Sequence, residues 1–175
     1  MDLIQDFEKR DISLLDENVF DILDKEWMLV TAGVKDNFNT MTASWGGFGI
    51  LWNKPVAIAY VRPQRFTHKY TEDNDVFTLS FFGQGKFREE LMFCGSKSGR
   101  DFDKPKETGL IPVTTPIGAI TFQQARLVFE CRKLYADDIK PSCFADLSID
   151  SKVYAKKDYH RFYIAEILGY YKKLS

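Results

Sequence analysis

Apolar positions along this chain follow a helical period in a few stretches and a strand period in most others. In "SLLDENVFDILDK" (13–25), Leu15, Val19, Phe20 and Leu23 recur at helical spacing. The pattern predicts an amphipathic helix capped by Ser13. "EWMLVTAGV" (26–34) predicts a buried strand and "KDNFN" (35–39) a turn, since Asn and Asp satisfy nearby backbone groups. Residues 41–45 predict a second strand, forming a hairpin with the first. Gly46, Gly47 and Gly49 follow at once, which predicts a bulge or a close approach to the backbone. "KPVAIAYVR" (54–62) reads as the next strand, with Pro55 tolerated only at its start. Phe66 and Tyr70, four apart behind Pro63, predict a helix opening just after it.

"VFTLSFF" (76–82) predicts a strand and "GKFREELMFCG" (85–95) a short helix closed by Gly95. "SKSGRDFDKPKETGL" (96–110) reads as a long polar loop, and such loops in compact domains are often functional. Residues 118–137 and 159–173 are rich in aromatic and β-branched side chains and read as strands, with loop or short helix between them. No repeat or low-complexity segment interrupts the chain. Many strands with few helices, in no regular alternation, predict a mainly β protein, a β-barrel with added helices, in a single domain over 1–175.

Composition narrows the functions open to such a barrel. The 175 residues are 45% hydrophobic, enough for a sizeable core. With 24 basic and 25 acidic residues the net charge is -1, which excludes the electrostatic footprint of a nucleic-acid or anionic-membrane binder. Any anion site must be local. Cys94, Cys131 and Cys143 are too few and too scattered for a disulfide framework. His68 and His160 are the only histidines, so no metal site is expected. The acidic, mixed opening "MDLIQDFEKRD" is no secretory leader, and no apolar run reaches the length of a membrane span. A cytoplasmic protein is expected. Phosphate-loop, nucleophile-elbow and dinucleotide fingerprints are absent from the sequence.

Three segments carry candidate chemistry. "RPQRFTHKY" sets Arg62 at a strand end and Arg65 and Thr67 in the first turn of a helix. Unpaired N–H groups there, with arginine and threonine beside them, make a phosphate site; the plain alternative is a solvated basic helix. "CGSKSGRDFDK" offers Ser96, Ser98 and Gly99 with Lys97, Arg100 and Lys104, and its plain alternative is an exposed loop. Two modest anion-binding segments in a nearly neutral chain favour a small phosphorylated ligand over a polymer. In "NTMTAS", Thr40, Thr42 and Ser44 share one strand face, and Met41 and Ala43 the other with Trp45. The hydroxyl face meets either a ligand or water.

Taken in order, "FNTMTASWGGFGILWNKPVAIAYVRPQRFTHKYTEDNDVFTLSFF", "CGSKSGRDFDK" and "YHRFYIAEIL" resemble the flavin reductase-like family, the flavoredoxin type of FMN-binding split barrels, over about residues 20–169. The resemblance implies a Greek-key split β-barrel that forms a homodimer, with FMN in a groove near the subunit interface. It assigns cofactor binding to Asn39, Thr40, Met41, Thr42, Ala43 and Ser44 along the flavin. It assigns Arg62, Gln64, Arg65, Phe66 and Thr67 to the ribityl chain and phosphate, and Lys97, Ser98, Gly99 and Arg100 to a second contacting loop. Backbone N–H groups over 41–44 would stabilise charge on the reduced ring. The implied activity is electron transfer from NAD(P)H through FMN to free flavin, a protein or another small acceptor. The alternative is an FMN-binding electron carrier reduced by a partner protein. Neither nucleic acid nor membrane is expected as a partner. No side chain is assigned to proton transfer; His160 is the candidate to approach the flavin or nicotinamide, against a structural histidine. His68 is assigned to the surface. Cys94 reads as a buried small hydrophobe and Cys143 as the more accessible thiol. Trp45 and Trp52 either stack near the flavin or pack, with Trp52 placed in core and interface.

Overall fold

The computed structural model describes residues 5–174. Its strands are β1 (Phe7–Arg10), β2 (Met28–Val34), β3 (Asn37–Ala43), β4 (Gly46–Leu51), β5 (Lys54–Val61), β6 (Val76–Phe81), β7 (Pro112–Thr114), β8 (Ile120–Phe122), β9 (Leu127–Asp138) and β10 (Arg161–Lys173). The helices are α1 (Val19–Asp21), α2 (Phe66–Asp73), α3 (Arg88–Ser96), α4 (Lys104–Thr108) and α5 (Leu147–Val153). No helix among the described residues is long and apolar enough to cross a membrane.

One antiparallel sheet runs β3-β2-β6-β9-β10-β5-β4. The long β10 has β9 along one side; on the other, its first half pairs with β5 and its end with β1. The sheet's two edges, β3 and β4, are joined in sequence by only Ser44 and Trp45. That link spans on the order of 10 Å at full stretch, so the sheet must roll until its edges meet. The result is a barrel whose seam is closed by the chain itself. Gly46 sits at the seam, where a Cβ would lie 2.9 Å from the Ile58 carbonyl oxygen. The predicted close approach is therefore found at Gly46, within a regular strand and without a bulge, while Gly49 faces open space.

Period-2 alternation fills two cores. Inside the barrel lie Met28, Val30, Met41, Ala57, Ala59, Leu79, Phe129 and Tyr163, with Phe48 4.8 Å from the Phe129 ring. Outside it, Leu29, Leu91, Cys94, Leu110, Phe122 and Val128 pack beneath α3 and the β7–β8 hairpin. β2 is thus buried on both faces from Met28 to Gly33, which explains why its apolar residues do not alternate with polar ones.

Several sequence expectations are corrected. Helix 13–25 does not form as one piece: a 3-10 turn at Ile12–Leu14 is capped by Asp11, with its carboxylate accepting from the Ser13 N–H, and α1 begins only after Asn18 caps it. α1 runs into a π turn at Ile22–Glu26, and Phe20 is left 79% exposed. The turn "KDNFN" shrinks to Lys35 and Asp36, with residues 37–39 already in β3, and β3 ends before Ser44 and Trp45. Gly95 does not close α3; it lies inside it, where a Cβ would come 3.4 Å from the Thr42 side chain. The loop 96–110 contains α4, and residues 118–137 divide into β8 and β9. Trp52 is not in the core: with Asn53 it forms a two-residue hairpin tip at φ 51° and 57° and is 55% exposed.

Candidate functional site

Arg65 is the residue at the N-cap of α2, with extended backbone and a side chain that does not cap. It reaches instead to the end of α3, donating from Nη1 to the Gly95 carbonyl at 2.7 Å and from Nη2 to Cys94 at 3.2 Å. Lys104, in the first turn of α4 and only 3% exposed, donates to the same Cys94 carbonyl at 2.9 Å and to the Thr40 carbonyl at 2.7 Å. The last carbonyls of a helix lack intrahelical partners and carry about half a negative charge between them. Among the described residues neither cation has a carboxylate ion pair. A half-buried and a buried cation therefore stand on roughly half a counter-charge, and more than one positive charge is left for an anion to meet. Burial lowers the pKa of Arg65, and it brings Lys104 down to about 8, opposed by Cys94 and reinforced by Arg65. Burial also pushes the Cys94 thiol up to about 11 against the pull of Lys104 and Arg65, so it is not a thiolate at neutral pH.

The Thr40 carbonyl bond fixes the orientation of β3. In an antiparallel strand the N–H and C=O of one residue point the same way and alternate along the chain. Thr40 and Thr42 therefore turn their backbone groups to the free edge, and Met41 turns its own to β2. This edge lines a cleft of about 210 Å³, together with Ser44, Trp45, Tyr60, Arg62, Arg65 and His160. Sharing Ser44, Trp45 and Tyr60 with it is a more apolar cavity of about 620 Å³ that also touches Phe20, Leu23 and Ile139. Together they are large enough for a small-molecule cofactor.

His160 is buried just before β10, with Nδ1 2.8 Å from the Tyr154 hydroxyl and its ring 5.1 Å from Trp45. Burial, then the charge of Arg62, depresses its pKa to about 4, so the ring is neutral at physiological pH. Its Nε2 makes no hydrogen bond within the described residues. A neutral imidazole can donate or accept a hydrogen bond to a ligand but is not a stored acid.

The three sequence-predicted segments converge. Asn39 donates to the Thr67 hydroxyl at 2.7 Å, tying β3 to α2. A Cβ on Gly99 would lie 2.0 Å from Asn39 Oδ1, so the 97–103 loop presses on the same point. Arg100 lies over the Phe66 ring at 4.8 Å and donates to the Gln64 carbonyl at 3.4 Å. Ser98 accepts from the Arg100 N–H, and Lys97 leans over Phe102.

Convergence does not leave every side chain available. Arg62 is compensated by Asp158, to which Gln64 also donates, and it lies over the Tyr154 ring. The hydroxyl face of β3 is not open: Thr40 bonds Thr31, and Thr42 donates to the Leu91 carbonyl beneath α3. What β3 offers a ligand is its backbone edge and Ser44. His68 lies apart, in a surface groove with Glu72, Asp138 and Arg161. All three cysteines are free, and Cys143 alone of them is exposed. No group of three His, Cys, Asp or Glu converges among the described residues.

The structure adds Tyr60 and Tyr154 to the site, and it buries Lys104, which the sequence offered as one charge of a loop. Asp103 caps α4 and Pro105 stands in its first turn, a helix start legible in the sequence, but nothing in that pattern turns the lysine inward.

A search of curated proteins finds no match. Solved structures share the fold. An FMN-binding protein from Thermus thermophilus with bound 1-cyclohex-2-enone aligns with a TM-score of 0.65 at 19% identity, over 94% of this chain and 79% of that one. Flavoredoxin from Methanosarcina acetivorans aligns with 0.65 at 20% identity, over 95% and 76%. An NADH:FAD oxidoreductase from Streptomyces globisporus C-1027 aligns with 0.64 at 15% identity, over 85% and 75%. A family model described as flavin reductase like domain matches residues 23–171, nearly the whole barrel, and the chain belongs to that family.

Proposed function

We propose that this protein is an FMN-binding oxidoreductase that takes electrons from NADH or NADPH and passes them to free flavin or another acceptor. The observation that carries the reading is the pair Arg65 and Lys104, one half-buried and one buried cation with no carboxylate partner among the described residues, beside the free backbone edge of β3. That arrangement fits a ligand with a phosphate at one end and a flat polar ring at the other. FMN, when bound, supplies the hydride-accepting chemistry.

The chain's own part is to bind, orient and exclude water. Arg65 would meet the phosphate, Lys104 would hold the β3 edge and the end of α3 behind it, and the Arg100 and Lys97 loop would cover it. The Thr42 and Ser44 N–H groups donate to the electron-rich end of the ring. Trp45 and Tyr60 wall the cleft, and His160 offers one neutral hydrogen-bonding atom. Of the predicted cofactor residues, Arg62, Gln64, Thr40 and Thr67 then act by holding the frame. The apolar surface of Phe20 and half-exposed Trp45 beside the cleft suits a second subunit, in line with a homodimer. Free cysteines suit a cytoplasmic location.

The test is the absorption spectrum of the purified protein, followed by anaerobic titration with NADH and NADPH. A flavin spectrum that bleaches with either nucleotide is expected. A protein that takes up no FMN on incubation overturns the reading. Flavin that bleaches only with a reduced partner protein favours the second reading, an electron carrier, to which the similarity to flavoredoxin points.

A further inference from the structure

Lys104 is an unusual residue to bury. It has no carboxylate partner among the described residues, yet its ammonium joins three elements: the free edge of β3 through Thr40, the end of α3 through Cys94, and its own helix α4. Through the Cys94 carbonyl it is also linked to Arg65 at the head of α2. An ammonium has three donors, and two are engaged with carbonyl oxygens. Neutral lysine keeps only two N–H groups and loses the charge that makes such bonds strong.

We propose that Lys104 is a positioning residue for the cofactor: it clamps the free edge of β3 against the end of α3, and it does so only in its protonated state. The inference rests on the FMN reading for its link to the cofactor, but the clamp itself belongs to the chain alone. The cavity of about 480 Å³ beside Lys104, lined by Asn39, Thr40, Gly99 and Phe102, gives water a route to the ammonium and so lets it titrate. Its pKa of about 8 places the change within an accessible range. Anion binding favours the protonated form, so affinity is full below that value and falls as pH rises through it. With the transition at about 8, the Kd for FMN rises about 10-fold from pH 7 to pH 9.

The charged and titratable groups around Lys104 are Arg65 and Tyr70 from α2, Cys94 from α3, Asp36 from the β2–β3 turn, and Asp103 and Lys106 from its own helix. Lys104→Met and Lys104→Arg keep all of these, so a difference between profiles isolates Lys104.

The experiment has two readouts. The first is amide hydrogen exchange of the flavin-free protein, expressed as protection relative to intrinsic rates, at pH 7 and pH 9. Protection over 39–43 and 93–97 is expected to fall several-fold in the wild type between these pH values. In Lys104→Met it is expected to be low at both, while β9 is unchanged throughout. The second is FMN affinity by fluorescence quenching. The wild type is expected to weaken about 10-fold over the same range, Lys104→Met to be weak and flat, and Lys104→Arg to be flat with affinity closer to the wild type. Equal protection and parallel pH profiles in wild type and Lys104→Met overturn the proposal while leaving FMN binding intact. Normal exchange behaviour with no FMN uptake at any pH leaves the clamp and overturns the functional reading.

Discussion

Replacing Arg65 with alanine separates two roles that its position combines. In the free protein the guanidinium holds the Gly95 and Cys94 carbonyls at 2.7 and 3.2 Å. A hydrogen bond to a charged group contributes about 1.5–3 kcal/mol. The loss here falls near the low end, because Lys104 still satisfies Cys94 and water can reach the half-buried Gly95. A destabilisation of about 2 kcal/mol lowers Tm by about 4–8 °C in a domain of this size. In the proposed FMN complex the same guanidinium would face the phosphate. Losing that contact costs a further 1.5–3 kcal/mol or so, a rise in Kd of about 10- to 140-fold. Fluorescence titration with FMN and with riboflavin, which has the same ring and no phosphate, divides the effects. FMN is expected to lose its advantage over riboflavin in Arg65→Ala, with riboflavin affinity nearly unchanged. If both ligands weaken by the same factor, Arg65 is a clasp on α3 and never meets the phosphate.

Other perturbations probe the frame and the cleft. Gly99→Ala drives a methyl group to within 2.0 Å of Asn39 Oδ1 and so displaces either the 97–103 loop or the Asn39–Thr67 bond; FMN retention should fall at least about 10-fold, equivalent to 1.4 kcal/mol, with an unchanged far-ultraviolet circular dichroism spectrum. Arg126 joins Glu17 and the buried Glu26, so Arg126→Met strands a carboxylate pair; urea unfolding should show a loss of about 3–5 kcal/mol, and a loss below 1 kcal/mol or so would mean the acids find other partners. His160 should titrate near pH 4 in ring proton NMR spectra. Because its folded pKa lies below the unfolded value of 6.5, its contribution to stability is complete above 6.5 and declines as pH falls toward 4; a ring that titrates at 6.5 would refute its burial as a neutral base.

Much of this was legible along the chain, because local pattern records local burial. The largely apolar, non-alternating sequence of β2 comes from its two buried faces, and the paired periods around Pro63 mark the passage from β5 to α2. The convergence of "NTMTAS", "RPQRFT" and "KSGRD" was legible only through family resemblance, since nothing in their spacing places Gly99 on Asn39. Pairings across long separations left no trace. Arg62 reads as a free cation until Asp158 arrives from 96 residues away, and the Thr40 and Thr42 hydroxyls read as open until Thr31 and the Leu91 carbonyl claim them. Gly95 has the composition of a helix stop, but its bare backbone serves contact with Thr42 instead. Phe20 fits an apolar stripe by spacing, yet the 3-10 and π turns on either side of its short helix rotate it to the surface.

The covalent seam bears on how the protein matures. β3 and β4 are the two ends of the sheet, and every ladder between them pairs without either edge having to bond the other. Ser44 and Trp45 keep the two edges together, so a newly made chain can complete its barrel with the seam's backbone groups still wet. On the proposed function, folding and cofactor loading would then be separate events, in that order. A molecule docking along the β3 edge supplies partners the barrel did not need in order to form, and it adds stability by mass action as the logarithm of its concentration over Kd. If the ligand is the proposed FMN, flavin supply would tune how long the protein survives, through a joint of two residues.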